Sequence, residues 1–407
     1  MIGVILLLLF AGVNSQCNFT CEIIDNTTTV TTYADSVIFN DTEIFAYTRN
    51  GSDIVYTEYN GTDWISVTLK SYTGALNIKL KLINSIPSIL VYDSTVLYLW
   101  QRFSGSWNET IILNSTATVI QLSSYLNNPT VAYSSGLLLY YGESNGTDWV
   151  FNTITYNTTG GSTIDALVLN GDFMAWQLRT ATGPYKIFYG VYNDSSWTSN
   201  FLGFNGEDGG YMALENVAGY FPTVAVTDTN TGYAITLYHF NATNSWNEET
   251  ITQNLINIAP SLHYINGIYP SIAFINNATS QIDIYNHDND HEWYGNSSFT
   301  PPAGYIEPIN YYQRTDSIVV TGVSGTTGVF ACRKNISCLT LPPATSTTST
   351  TTTTTSMIPI PTFMTVLLVL GIIIIAICLG SLILIPLICI LMGSTKLPSR
   401  RTKTHRY

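Results

Sequence analysis

The densest set of potential metal ligands in the chain is His287, Asp288, Asp290, His291 and Glu292. Calcium takes oxygen donors at regular loop spacing and zinc takes nitrogen or sulfur, and this mixed run matches neither. It reads first as a solvated hairpin tip. Glu207 and Asp208, in GFNGEDGGY, are adjacent acids on a glycine-rich loop, a place for ligand contact or a flexible acidic connector. No Walker loop, zincin motif or serine-hydrolase elbow occurs in the sequence, so neither an enzyme nor a cofactor is expected. Charged residues make up 10% of the chain and the formal net charge is -12, a balance that excludes a basic nucleic-acid-binding face.

The elements that carry these residues repeat. An apolar and aromatic run, a turn of Asn, Gly, Ser, Thr and Asp, a tryptophan and a second alternating run recur around Trp64, Trp107, Trp149, Trp197, Trp246 and Trp293, at intervals of 43, 42, 48, 49 and 47 residues. Upstream of each tryptophan comes a second phrase, IFAY at Ile44, PSILVY at Pro87, PTVAY at Pro129, FMAW at Phe173, PTVAV at Pro222 and PSIAF at Pro270. Proline at a strand start removes no needed ladder bond. Ala46, Ala132, Ala175, Ala225 and Ala273 share one phase, which suits strands converging toward an axis. A period in the forties built from strand and turn signals predicts an all-β propeller of four-stranded blades, A to D. A seventh unit, IEPINYY, SIVVTGV, GVFACRK and ISCLTL, lacks the tryptophan. Seven blades are expected, with six as the alternative. The fixed phase of the tryptophans assigns them to packing between neighbouring blades.

The phrase P-[ST]-[IV]-A-[FYV], then an aromatic strand, a polar turn and a tryptophan, resembles the degenerate repeats of sialidase-like propeller proteins over nearly all of residues 36 to 341. That family often carries an Asp-box, Ser-x-Asp-x-Gly-x-x-Trp, between the third and fourth strands. SNGTDW at Ser144 and YNGTDW at Tyr59 keep Gly, Asp and Trp there in altered order. The resemblance implies the fold. Sialidase chemistry would need an arginine cluster, and Arg49, Arg102, Arg179, Arg314 and Arg333 do not sit in that family's Phe/Tyr-Arg-Ile-Pro phrase, so activity is not expected.

Six cysteines fall into three pairs. Cys17, Cys21, Cys332 and Cys338 bracket the repeats and are expected as disulfides in an exported chain. Two local loops, or a clasp from the N-terminal segment to the last blade, both satisfy them. Cys378 and Cys389 lie in an apolar stretch and read as free or lipidated thiols.

The organisation expected is a signal peptide over 1–15, an N-terminal segment over 16–35, the propeller over 36–341, a Thr/Ser-rich stalk over 342–356, a transmembrane region over 357–393 and a basic tail over 394–407. The tail holds Lys396, Arg400, Arg401, Lys403 and Arg406, which orients it inward and the N-terminus outside. Sequons occur at Asn18, Asn26, Asn40, Asn50, Asn60, Asn108, Asn114, Asn145, Asn157, Asn193, Asn241, Asn277, Asn296 and Asn335, and mark surface loops in an exported chain.

The function expected is a single-pass surface glycoprotein of a cell or viral envelope, anchored in lipid, whose head binds a glycan or protein on another surface. A structural coat component with lateral or homo-oligomeric partners is the alternative, and a glycosidase-like enzyme the third.

Overall fold

Runs such as Ile89–Leu90–Val91 and Val131–Ala132–Tyr133 are apolar at every position because the strands they form are buried on both faces. The computed structural model describes residues 18–25, 34–73, 76–154, 161–180, 184–193, 196–205, 211–215, 222–228, 234–240, 245–252, 257–265, 269–276, 278–287, 293–302, 305–324 and 328–338. The chain divides into two units, Met1–Pro343 and Ala344–Tyr407, and every described residue lies in the first. The expected signal peptide, stalk, membrane span and tail fall outside the described residues, as do Cys17, Asn26, Asn157, Glu207, Asp208, Asn241, Asn277, Asp288, Asp290, His291 and the side chain of Asn296. Among the described residues no helix is long and apolar enough to cross a membrane.

The strands form seven four-stranded antiparallel sheets. In the order A to D, blade 1 is Ala34–Phe39, Thr42–Arg49, Asp53–Tyr59 and Trp64–Ser71, and blade 2 is Asn77–Ile83, Ile86–Tyr92, Val96–Phe103 and Ser106–Asn114. Blade 3 is Ile120–Tyr125, Asn128–Ser135, Leu138–Ser144 and Trp149–Ile154; blade 4 is Gly161–Asn170, Phe173–Thr180, Tyr185–Asn193 and Ser196–Asn205. Blade 5 is Met212–Glu215, Thr223–Asp228, Ala234–Phe240 and Trp246–Thr252; blade 6 is Asn257–Ile265, Tyr269–Asn276, Gln281–His287 and Trp293–Phe299. Strands A of successive blades lie against one another in a closed cycle that returns from blade 7 to blade 1, which puts A at the axis and D at the rim. The architecture is a seven-bladed β-propeller, and the six-bladed alternative is excluded.

Blade 7 is built from both ends of the described chain. Tyr305–Gln313, Ser317–Ser324 and Gly328–Asn335 are its strands A to C, and its strand D is Thr20–Asp25, paired antiparallel to strand C with Cys21 opposite Cys332. This corrects the expectation that ISCLTL supplies the fourth strand. Asn335 Oδ1 accepts hydrogen bonds from Ser337 N at 2.9 Å and Ser337 Oγ at 2.7 Å, and Ile336–Cys338 turns away as a short 3-10 helix. The ring therefore begins at Thr20, inside the segment set apart as 16–35.

Three further links hold this seam. Cys21 and Cys332 form a disulfide, so the clasp is observed rather than two local loops, and Cys338 is itself disulfide-bonded. Arg333 donates from Nε and Nη2 to the two oxygens of Glu43 at 2.8 and 2.9 Å, and from Nη1 to Glu22 Oε2 at 3.0 Å. Arg314 adds a contact to Glu43 at 3.4 Å, and Thr315 donates from N and Oγ1 to Asp41 Oδ1 at 3.0 Å each. Glu43 is 2% exposed and stands three residues before Ala46, where blades 3, 5 and 6 have Pro129, Pro222 and Pro270. Burial alone would push its carboxyl up, but the hydrogen bonds and charge of Arg333 hold it below the usual range.

Seven apolar clusters fill the seven boundaries between blades, including the one from blade 7 to blade 1 through Ile24, Phe45, Tyr47 and Val329. The alanines of the shared phase, on strands B, are fully buried. The six repeat tryptophans start strands D, half-buried, and each packs into the cluster shared with the preceding blade. Trp107 stands edge-on to Tyr56 at 4.9 Å, Trp197 to Tyr141 at 5.0 Å and Trp246 to Tyr189 at 4.7 Å. Trp64 reaches across the seam, its Nε1 donating to Glu22 Oε1 at 2.8 Å. The tryptophans are wedges at the outer end of six of the seven boundaries rather than interior residues. Trp149→Ala is accordingly expected to lower stability by about 2 kcal/mol, below the roughly 3–5 kcal/mol typical of a fully buried aromatic. A denaturant midpoint equal to the parent's would contradict the wedge.

Candidate functional site

Turn chemistry sorts the sequons between the two ends of the ring. In an A-to-D meander the A–B and C–D turns share one end and the B–C and D–A connections the other. In the C–D turn of blade 1, Asn60 Oδ1 accepts from Thr62 N and Thr62 Oγ1 at 2.9 Å and from Asp63 N at 2.8 Å, with Gly61 at positive φ. Blade 3 repeats this at Asn145, Gly146, Thr147 and Asp148. These turns stand in the place expected for the Asp-box. The asparagine oxygen closes the turn, which leaves Nδ2, the atom that N-glycosylation modifies, on the outside.

Among the described residues Asn18, Asn40, Asn60, Asn108, Asn145, Asn193 and Asn335 are exposed at the A–B and C–D end, whereas Asn50 and Asn114 are exposed at the other. The segment holding Glu207 and Asp208 connects strand D of blade 4 to strand A of blade 5, so its flanking residues Asn205 and Tyr211 are at the sequon-poor end. Cys338, the last described residue, follows strand C of blade 7 and is at the sequon-rich end.

Strands A supply a lining that the sequence reading did not single out. One phase, including Ile78, Leu80, Leu122, Leu169, Leu262 and Tyr311, is apolar and buried between blades. The alternate phase carries Lys79, Lys81, Gln121, Glu215, His263 and Tyr312, all at least partly exposed, and borders the axis because A is the innermost strand. The signal was there in NIKLKLI, where lysines alternate with apolar residues in a chain otherwise poor in charge.

This lining has two layers. Opposite the buried layer of Ala46, Ala132, Ala273 and Val319 stand Asp35, Gln121, Ser261 and Tyr312. Each stitches its strand to the next blade's strand A: Asp35 Oδ2 accepts from Leu80 N at 2.8 Å, Gln121 Nε2 donates to the Leu167 carbonyl at 2.5 Å, Ser261 Oγ accepts from Tyr311 N at 2.9 Å, and Tyr312 donates to the Ser36 carbonyl. Two residues nearer the A–B turns, Lys81, Glu215 and His263 stand opposite Ser88, Thr223 and Ser271. Their side chains, like that of Lys79, make no hydrogen bond to another described residue.

The other predicted residues are not brought together. Arg102 pairs with Glu58 across the boundary of blades 1 and 2, Arg314 and Arg333 hold the seam, and Arg49 donates to Thr68 Oγ1 at 2.6 Å. Arg179 is on strand B of blade 4. His287 Nε2 lies 3.9 Å from Glu249 Oε2, beside a surface hollow of about 530 Å³ lined by His239, Trp246, Asn247, Glu248 and Glu249. Among the described residues no group of three or more His, Cys, Asp or Glu is placed to hold a metal ion.

No protein-family model matches the chain, and no curated protein matches it. Solved structures do. The BBS1N domain in complex with ARL6DN is 11% identical and aligns over 78% of this chain and 95% of its own, with a TM-score of 0.51. The Aleuria aurantia lectin AAL is 11% identical over 70% of this chain and all of its own, with a TM-score of 0.44, and the WD40 domain of SCAP from fission yeast is 8% identical over 78% and 98%, with a TM-score of 0.46. At such identity the first of these similarities speaks for the propeller fold.

Burial pushes the Glu215 carboxyl up to about 7, against the pull of Lys81, and pushes the His263 imidazole down to about 4. Folded Glu215 holds a proton that the unfolded chain releases, so its contribution to stability is present below about pH 4.5 and is lost as pH rises to about 7. Folded His263 lacks a proton that the unfolded chain binds between about pH 4 and 6.5, so its contribution grows with pH across that window. The two oppose each other. Relative to the parent, Glu215→Gln should show a melting temperature that climbs more steeply from acid to neutral pH, and His263→Gln one that falls. Curves parallel to the parent's for both variants would contradict the burial of these groups.

Proposed function

We propose that the chain is a surface-displayed binding glycoprotein whose propeller head meets a glycan or protein on another surface through the B–C and D–A loops. The observation that carries this reading is the uneven distribution of exposed sequon asparagines among the described residues, seven at one end of the ring and Asn50 and Asn114 at the other. Sugars on the first end would shield it. The opposite end, with fewer exposed sequon asparagines among the described residues, is then the one that makes contact. Loops on a rigid scaffold are where recognition is commonly placed.

An apolar leader, a Thr/Ser-rich tract, a thirty-residue uncharged stretch and a basic tail support export and a single-pass anchor with the head outside a cell or envelope. The altered Asp-box turns support a degenerate sialidase-type repeat without the enzyme, since Arg102 is engaged in an ion pair between blades 1 and 2 while Arg314 and Arg333 are both engaged by Glu43 at the seam. A laterally packed coat is the second reading, favoured by the exposed apolar side chains Ile65, Val67, Ile111, Val150 and Phe201 on strands D.

A glycan wedge tests the assignment. Asp93, in the B–C turn of blade 2, holds Thr95 N, Thr95 Oγ1 and Val96 N with Oδ1, as Asn60 and Asn145 hold their turns. Asp93→Asn creates Asn-Ser-Thr while keeping that turn. In glycan-array and cell-binding assays the full-length protein should bind saturably, Asp93→Asn should lose binding by about tenfold or more, and Asn60→Gln with Asn145→Gln should retain it. Binding blocked by neither change, or ordered assembly with no binding, would overturn the reading.

A further inference from the structure

Cations are scarce in the described ring and nearly all are committed. Lys70 pairs with Glu109, Arg102 with Glu58, Arg333 with Glu43 and Glu22, and Lys334 donates to Ser297 Oγ at 2.8 Å. Lys79 and Lys81 differ. They share strand A of blade 2, lie in the same phase of that innermost strand, and make neither a hydrogen bond nor a contact ion pair with another described residue.

Across a ring of seven, the wall facing blade 2 is formed by blades 5 and 6. That wall presents Glu215 and His263 at the layer of Lys81, and neither has a hydrogen-bond partner among the described residues. Two cations side by side, facing a carboxyl and an imidazole across a channel with apolar-packed walls, make a focused positive potential with hydrogen-bonding groups opposite.

We propose that the axial channel binds an anionic group, a sulfate, phosphate or carboxylate, held by Lys79 and Lys81 and oriented by Glu215 and His263. This goes beyond the reading of the outer loops and does not depend on it. The anion belongs either to a glycan entering the channel or to a free small acid. The groups facing Glu215 define how pH acts. Asp35 is committed to Ser36 N and Leu80 N, Tyr312 stays protonated and donates to the Ser36 carbonyl, and His263 is neutral near neutral pH. Glu215 is therefore the group that changes charge near neutrality. Ionised, it competes with the anion for Lys81 and repels it; protonated, it offers a donor instead. Anion affinity rises as pH falls from 8 to 6.

The test is isothermal titration of the full-length protein with inorganic sulfate and with a sulfated disaccharide, each at pH 6 and pH 8. At least one probe should bind, more tightly at pH 6. Tighter binding of the disaccharide assigns a glycan source, and equal binding a free anion. Lys79→Gln with Lys81→Gln should weaken binding by about tenfold or more, and Glu215→Gln should abolish the difference between the two pH values while leaving binding at pH 6 in place. Melting temperatures confirm that the variants fold. Undiminished binding in the double lysine variant, or no binding of either probe by the folded parent, would overturn the proposal.

Discussion

Closure of the ring at one seam is the constraint on which the rest depends. Each boundary between blades is an apolar cluster shared by two sheets, so a row of seven blades that failed to close would leave two such faces in water. The joining residues are 311 positions apart in sequence, and bringing them together has a loop-closure cost that grows with the logarithm of that length. The protein offsets it with several interactions at one place: a strand from the N-terminal side, a disulfide, an Arg333 fork on Glu43, and Trp64 on Glu22. Glu43 shows the specialisation most clearly. Where blades 3, 5 and 6 have proline at the entry to strand B, blade 1 buries a carboxylate, which stays ionised because two arginines of blade 7 surround it.

Much of this was legible in the residues, for reasons local in sequence. Strands B read as short apolar runs because both their faces meet neighbouring blades, and the C–D turns of blades 1 and 3 read as Asn-Gly-Thr-Asp because the asparagine oxygen closes them. What was not legible is non-local. ISCLTL has the composition of a strand, but the edge it would pair with is occupied by Thr20–Asp25, a choice made by a partner at the far end of the chain. The cysteines left two arrangements open for the same reason. The repeating tryptophans announced packing between blades, while their partial exposure follows from their place at the start of the rim strand, a radial position that periodicity does not encode.

The candidate sites divide in the same way. Adjacent charges in a loop draw the eye in a sequence, as Glu207 with Asp208 and the run from His287 do. The lining of the axis comes from strands far apart, one or two residues from each, and becomes a set when the ring closes. Lys79, Lys81, Glu215 and His263 are drawn from blades 2, 5 and 6. The seam thus also shapes these candidate sites. It sets the channel that strands A enclose and keeps the two ends of the ring, which differ in exposed sequon asparagines among the described residues, on opposite sides.

The central claim is that the N-terminal strand completes blade 7 and is bonded there, and peptide mapping of the unreduced full-length protein tests it most directly. Digestion followed by mass spectrometry should recover a peptide containing Cys21 linked to one containing Cys332. Recovery of Cys21 joined to Cys17, with Cys332 joined to Cys338, would place both bonds in local loops and contradict the clasp.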